Sequence, residues 1–270
     1  MRFLFIGDIV GKPGKHACSQ VIPRLIVEQG LDLVIANAEN TAAGSGITPP
    51  MFRKLQHYGV DVCTMGDHIY RRREVLALLA STDRVVRPAN LAPEATGAEL
   101  AIFEAHNQEP VAVFSLLGRT FMNVRADCPY HAADRLLKKI GSDVKTIVID
   151  MHAETTSEKV ALGWYLDGQV SAVIGTHTHI QTADERVLPR GTAYITDAGM
   201  TGPYDSVLGR DKDAVVKSLV TGVPHPYTVA TDDTRLCGVI VETDDATGRA
   251  RRIERVNIPD HTPSYADDKD

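Results

Sequence analysis

Five short apolar runs each stop at a side chain able to bind a metal ion, and this repetition constrains the fold more than any other feature. Phe3–Ile6 runs into Gly7-Asp8, Leu33–Ala36 into Asn37-Ala38-Glu39-Asn40, and Val60–Met65 into Gly66-Asp67-His68. Thr146–Ile149 leads to Asp150-Met151-His152, and Ala172–Ile174 to Gly175-Thr176-His177-Thr178-His179. Short continuous apolar runs read as strands buried on both faces, as in parallel sheets. In open α/β sheets, ligands bind beyond the carboxyl ends of the strands. Segments distant in sequence are therefore expected to converge on one edge.

Between these runs the pattern turns helical. His16–Gln29 places Val21, Leu25 and Ile26 on one face, and Gly30 stands where a helix C-cap would. Thr48-Pro49-Pro50 opens a second helix that ends near Tyr58-Gly59, since Thr caps well and Pro is tolerated in the first turn. A charged helix is expected from Arg71 to Ala80. Val111–Phe114 is a further strand. The last third reads as β-rich, with strands over Ala193–Ile195, Tyr227–Val229, Cys237–Val241 and Arg249–Val256 and a hairpin turn at Asp244–Gly248. No repeat, low-complexity linker or domain boundary interrupts this order. Residues 1–270 thus read as a single α/β domain in which a strand–helix half meets a more antiparallel half. Residues 259–270 read as a loose polar tail.

Composition narrows what such an edge can bind. Lys and Arg number 29 against 35 Asp and Glu, for a net charge of -6, which disfavours a stable nucleic-acid complex or an anionic membrane surface. The cysteines Cys18, Cys63, Cys128 and Cys237 are far apart with no CxxC spacing, which argues against a disulfide scaffold or zinc ribbon and fits a reducing cytoplasm. The apolar run at the N-terminus is far shorter than the roughly 7–15 residues of a signal peptide or the about 20 of a membrane span. A cytoplasmic protein without membrane contact is expected. The ten histidines need places.

Singly, each candidate ligand has a plain structural reading. Asp8 can cap a helix, Glu39-Asn40 can be a solvated loop pair, and Asp67 can be a cap beside a surface His68. His177-x-His179 is stronger, because alternate residues on an extended segment point the same way and can grip one ion. Carboxylate plus imidazole suits Mn, Fe, Zn, Ni or Co rather than Ca or a thiolate site. Asp8, Glu39, Asn40, Asp67, His152, His177 and His179 exceed what one ion needs. Two ions about 3.5–4 Å apart, bridged by a carboxylate and a hydroxide, would use them all. Such a pair lowers the pKa of bound water. Asp150 reads as a support rather than a ligand.

Other chemistries fit less well. Gly7-Asp8-Ile9-Val10-Gly11-Lys12 is one residue short of GxxxxGK and continues with Pro13. GxGxxG and GxSxG are absent. Cys63 reads as core. His16, His57, His106, His131, His225 and His261 read as surface or structural. Arg71-Arg72-Arg73 reads as a solvated helix start, though its place after His68 leaves a substrate-phosphate role open. Trp164 and Tyr165 read as core or oligomer contacts. A metal amidohydrolase also uses His-x-His, but on its first strand, whereas here it follows Asp8, Glu39 and Asp67. A metal-binding regulatory or ligand-sensing protein with little turnover is the other alternative.

The segments 5–11, 36–40, 65–68, 152–159, 175–182 and 196–203 together resemble the calcineurin-like metallophosphoesterase superfamily, and specifically its YmdB-type branch of bacterial phosphodiesterases. The resemblance spans nearly the whole chain in order. It implies a four-layer α/β/β/α sandwich, a dinuclear iron or manganese centre, phosphodiester hydrolysis on cyclic nucleotides (2′,3′-cyclic or 3′,5′-cyclic), and a homo-oligomer. By position it implies that Asp8, Glu39 and His179 bind one ion. It assigns Glu39, Asp67, His152 and His177 to the other, with Glu39 bridging and Asn40 at the first ion or the substrate. It makes His68 the general acid and names no substrate-binding residue. The wider superfamily carries DxH at its first strand, where this chain has Asp8-Ile9-Val10. The branch usually carries Asn where this chain has Asp67, and the added negative charge is expected to weaken phosphate binding, favour a more highly charged ion or change substrate choice.

Overall fold

The computed structural model describes residues 1–261. The element order is β1 (Arg2–Ile6), β2 (Asp8–Ile9), α1 (Gly11–Gln29), β3 (Leu33–Asn37), α2 (Pro49–His57), β4 (Val62–Thr64), α3 (Val75–Leu79), β5 (Val85–Val86), β6 (Ala101–Glu104) and β7 (Pro110–Leu117). It continues with α4 (Pro129–Lys139), β8 (Thr146–His152), α5 (Thr156–Tyr165), β9 (Ala172–Thr176), β10 (Arg186–Val187), β11 (Ala193–Ile195), β12 (Met200–Pro203), α6 (Lys212–Thr221), β13 (Thr234–Thr243) and β14 (Ala250–Pro259). These strands form two mixed sheets. The first has the order β2-β12-β13-β1-β3-β4-β5, with β14 also paired to β13, and the second the order β10-β11-β9-β8-β7-β6.

Each sheet has a parallel centre. β1, β3, β4 and β5 run parallel in the first, and β7, β8, β9 and β11 in the second. Antiparallel strands attach to both: β13 pairs with β1 and β14, while β6 and β10 flank the second sheet. The expected division into a parallel half and an antiparallel half is therefore corrected. Sequentially late strands return to the first sheet, which a reading along the chain does not reveal.

Side-chain alternation explains the packing. Successive residues of a strand face opposite sides. In β1, Leu4 and Ile6 join a cluster with Val21, Ile22 and Leu25 of α1 and Phe52 and Leu55 of α2. Phe3 and Phe5 point the other way, into a cluster that also holds Val113, Val148 and Ile174 from the second sheet. The opposite face of the second sheet contributes Phe114, Ile149 and Val173 to a third cluster with Leu136 of α4 and Leu162 of α5. Burying Phe3 or Phe5 contributes about 1.5–3 kcal/mol each.

The helix boundaries depart from expectation in ways with physical causes. The first helix begins at Gly11 rather than His16, because Gly11 enters it at φ +61° and Pro13 falls in the first turn, where its missing N–H is harmless. The Arg71–Ala80 helix shrinks to Val75–Leu79, with turns before it. Tyr227–Val229 forms no strand; Val229 makes a single bridge to Arg210. Gly30 does cap the first helix, at φ +58°. The Asp244–Gly248 turn joins β13 to β14, and β14 reaches Pro259. The rest of the expected tail, 262–270, lies outside the described residues. All four cysteines are free. Among the described residues no helix is long and apolar enough to cross a membrane.

Candidate metal centre

The carboxyl ends of β1, β3 and β4 in the first sheet and of β8 and β9 in the second bring the expected residues together. Glu39, Asp67, His152 and His177 each offer a ligand atom, and these atoms lie within 4.8 Å of one another. His152 Nε2 is 3.1 Å from Asp67 Oδ1 and 3.3 Å from Glu39 Oε1. His177 Nδ1 is 3.0 Å from His152 Nε2 and 3.5 Å from Asp67 Oδ1. Gly66 makes the crowding possible: a Cβ there would stand 2.3 Å from Glu39 Oε2 and His152 Nε2.

A second group adjoins the first. Asp8, at the start of β2, is fully buried, and its Oδ1 is 3.7 Å from His179 Nε2. The Asn40 amide nitrogen sits 3.5 Å from Asp8 Oδ1, 3.4 Å from Glu39 Oε1 and 3.3 Å from His179 Nε2. Three acceptors thus converge where Asn40 offers its donors. Glu39 reaches both groups. The structure corrects one expectation: His177 and His179 do not lie on an extended segment gripping one point. Both follow the end of β9 with positive φ, +91° and +65°, and they face different groups.

Supporting contacts fix the orientations of the candidate ligands. The fully buried Asp150 accepts hydrogen bonds from Thr64 Oγ1 and Thr176 Oγ1, each at 2.5 Å, and from Asn37 Nδ2 at 2.9 Å. The Thr176 hydroxyl spends its proton on Asp150, so it accepts from His152 Nδ1, 2.8 Å away. His152 Nε2 is then aimed at Glu39 and Asp67. Asp150 is thus a support, acting on His152 through Thr176.

The charges test whether a cation belongs here. Burial pushes Asp8 up to about 8, with Glu39, Asp197 and Asp150 adding to it against His152. Burial opposes the charge on His152, yet Glu39 and Asp67 outweigh it and hold the imidazole well above its ordinary range. Burial likewise opposes the charge on Glu39, but His152 and His68 hold it well below the usual carboxylate range. Burial and the neighbouring His152 push His177 down to about 4. Two buried carboxylates, Asp8 and Glu39, the half-buried Asp67 and three imidazoles face one another. Oxygen and nitrogen donors at this density fit divalent cations, which would take the place of their protons.

His68 lies beside the carboxylate cluster. Its Nδ1 is 2.8 Å from Asn40 Oδ1 and its Nε2 is 3.7 Å from Asp67 Oδ2. Burial disfavours its charged form, but Glu39 and Asp67 raise its pKa overall. Arg72, in contrast, spends its guanidinium on the carbonyls of Ser45 and Ala42.

Sequence reasoning missed the device that holds the histidine turn. Lys159 of α5 and Asp197 are both fully buried and lie 2.8 Å apart. Asp197 Oδ2 accepts from the Thr178 N–H at 3.0 Å and the Thr178 hydroxyl at 2.5 Å, and Lys159 Nζ also donates to Thr178 Oγ1 at 3.0 Å. Thr178 stands between His177 and His179, so this pair fixes the strained turn carrying both. A lysine on an otherwise mixed helix gives no pattern that predicts such burial.

Comparison with known proteins agrees with the geometry. The sequence model of a family described as YmdB-like protein matches residues 4–256. The chain is 45% identical over 260 residues to a 2′,3′-cyclic-nucleotide 2′-phosphodiesterase of Bacillus subtilis (strain 168), covering 96% of this chain and 98% of that one. It is 34% identical over 271 residues to a putative phosphatase/phosphodiesterase of Mycoplasma pneumoniae, covering 98% and 95%. A crystal structure of a hypothetical protein from Thermus thermophilus superimposes with a TM-score of 0.90 at 39% identity, over 96% of this chain and 99% of that one.

Proposed function

Because the chain belongs to the YmdB-like family, we propose that it is a metal-dependent phosphoric diester hydrolase acting on cyclic nucleotides. The observation that carries this reading is the convergence of Glu39, Asp67, His152 and His177 from the ends of two sheets. The name of the Bacillus relative supports 2′,3′-cyclic nucleotides as the first substrates to try. In this reading Glu39, Asp67, His152 and His177 would hold one ion, and Asp8, Glu39 and His179 would hold another, with Asn40 at that ion or at the substrate. Iron or manganese suits such carboxylate and imidazole donors. Two divalent ions held there would supply charge neutralisation for the phosphate oxygens and a water of lowered pKa.

The chain's own residues supply the rest. Asn40 fixes His68 through Nδ1, which leaves Nε2 to hand its proton to the departing oxygen. General-acid catalysis of this kind contributes roughly 10²–10⁴-fold. The same reading takes the chain as one cytoplasmic domain with four α/β/β/α layers. The alternation of three apolar clusters with two sheets supports the layering. The half-exposed Trp164 and Tyr165 are compatible with a homo-oligomer contact.

The test is hydrolysis of 2′,3′-cyclic AMP, 3′,5′-cyclic AMP and bis-p-nitrophenyl phosphate by manganese- and iron-loaded protein. Turnover of at least one diester is expected. Stoichiometric metal with no turnover under either loading would refute the enzyme and leave a metal-binding regulatory protein.

A further inference from the structure

A cavity of about 510 Å³ opens beside the metal centre, and its lining includes Asn40, Gly44, His68, His179, Leu208 and Arg210. Among the described residues Arg210 is the only lysine or arginine in this lining. Its guanidinium donates to the Ala43 carbonyl at 3.1 Å and the Gly44 carbonyl at 2.7 Å. An arginine carries five N–H donors, so several remain for another partner. Among the described residues no carboxylate is paired with it, and burial alone moves its pKa, downward.

The surroundings are built around this side chain. Gly44 has φ +83°, and a Cβ there would meet the guanidinium at 2.6 Å, so only glycine lets the arginine lie against the turn. Leu208 and Gly209 also have positive φ, +52° and +87°. That turn aims the Leu208 carbonyl at His179 Nδ1, 3.2 Å away, and delivers Arg210 to the same cavity. One short segment therefore orients a candidate ligand and presents a cation.

Resting on the diesterase reading, we propose that Arg210 is the substrate-anion arm of this site. Its free donors take a phosphate oxygen of the bound diester, or of the monoester product, from the side of the cavity facing residues 43–44. The acidic residues about the cavity would otherwise repel such an anion, and a guanidinium binds phosphate through charge-assisted, often paired hydrogen bonds.

The experiment uses the manganese-loaded full chain. Steady-state hydrolysis of 2′,3′-cyclic AMP and calorimetric binding of inorganic phosphate are measured for wild type, Arg210→Met and Arg210→Lys. In Arg210→Met, KM and the phosphate Kd are expected to rise about 10- to 100-fold, the loss falling on KM more than on kcat. Arg210→Lys keeps the charge but not the fork, and should recover part of the affinity. Unchanged KM and phosphate affinity in Arg210→Met would overturn the proposal. Equal losses in both variants would also overturn it, by making Arg210 only a brace for residues 43–44. A wild type that binds phosphate but cleaves no diester would sink the diesterase reading instead, while the phosphate Kd still tests Arg210.

Discussion

Lys159→Met should separate the support of the histidine turn from its chemistry. Lys159 and Asp197 are fully buried, 2.8 Å apart, and methionine keeps the length of the stem while removing the charge. Removing one partner of a buried pair costs about 3–5 kcal/mol, because the other charge stays buried without compensation. At roughly 2–4 °C per kcal/mol for a chain somewhat smaller than this one, the melting temperature should fall by about 6–20 °C. The second consequence is local. His177 and His179 sit at φ +91° and +65°. Such residues cost about 1–3 kcal/mol each and persist only when surrounding contacts hold them. With Asp197 released from Lys159, the Thr178 anchor loosens and the two histidines lose their preset directions. Loss of a supporting contact typically costs 10–100-fold in metal affinity, so manganese binding should weaken by about that factor. Thermal unfolding of the metal-free protein followed by circular dichroism reads the first effect, and calorimetric titration with manganese reads the second. A melting temperature within about 2 °C of wild type would refute the buried-pair argument. A destabilised protein with native metal affinity would refute the link from Lys159 to the ligands.

Three further outcomes are expected. His68→Ala should keep its metal by elemental analysis but lose about 10²–10⁴-fold in kcat, and normal diester hydrolysis would remove His68 from the acid role. Asp67→Asn should remain active and bind inorganic phosphate more tightly, since an amide still offers an oxygen while one negative charge leaves the site; weaker phosphate binding would contradict the charge argument. Stripping the metal should lower thermal stability, by about 4 kcal/mol relative to protein held at a thousandfold excess over Kd, and equal melting curves with and without metal would contradict a site that forms only in the folded state.

The strand ends were the legible part of this chain. Buried parallel strands announce themselves as apolar runs, and the residue after each run has little freedom in where it points. That is why Asp8, Glu39, Asp67, His152 and His177 meet where a reading of the runs places them. The directions of His177 and His179 were less legible, because a left-handed backbone at a non-glycine residue leaves no pattern in the sequence. Lys159 looked like any helix lysine, since its partner Asp197 lies 38 residues away. The α4 and α5 helices went unread for a related reason. The first begins at Pro129 and the second mixes Gly163 and the buried Lys159 into its inner face, which breaks the apolar stripe. Arg210 follows from tertiary contact alone, through the carbonyls of residues far earlier in the chain.

The central claim is that this centre works as a pair of ions on a phosphodiester. Metal-free protein titrated with manganese or iron, with bis-p-nitrophenyl phosphate hydrolysis followed at each step, tests it most directly. The account predicts no activity without metal and a plateau at two equivalents per chain. Full activity in the stripped protein, or no activity at any loading, would contradict it.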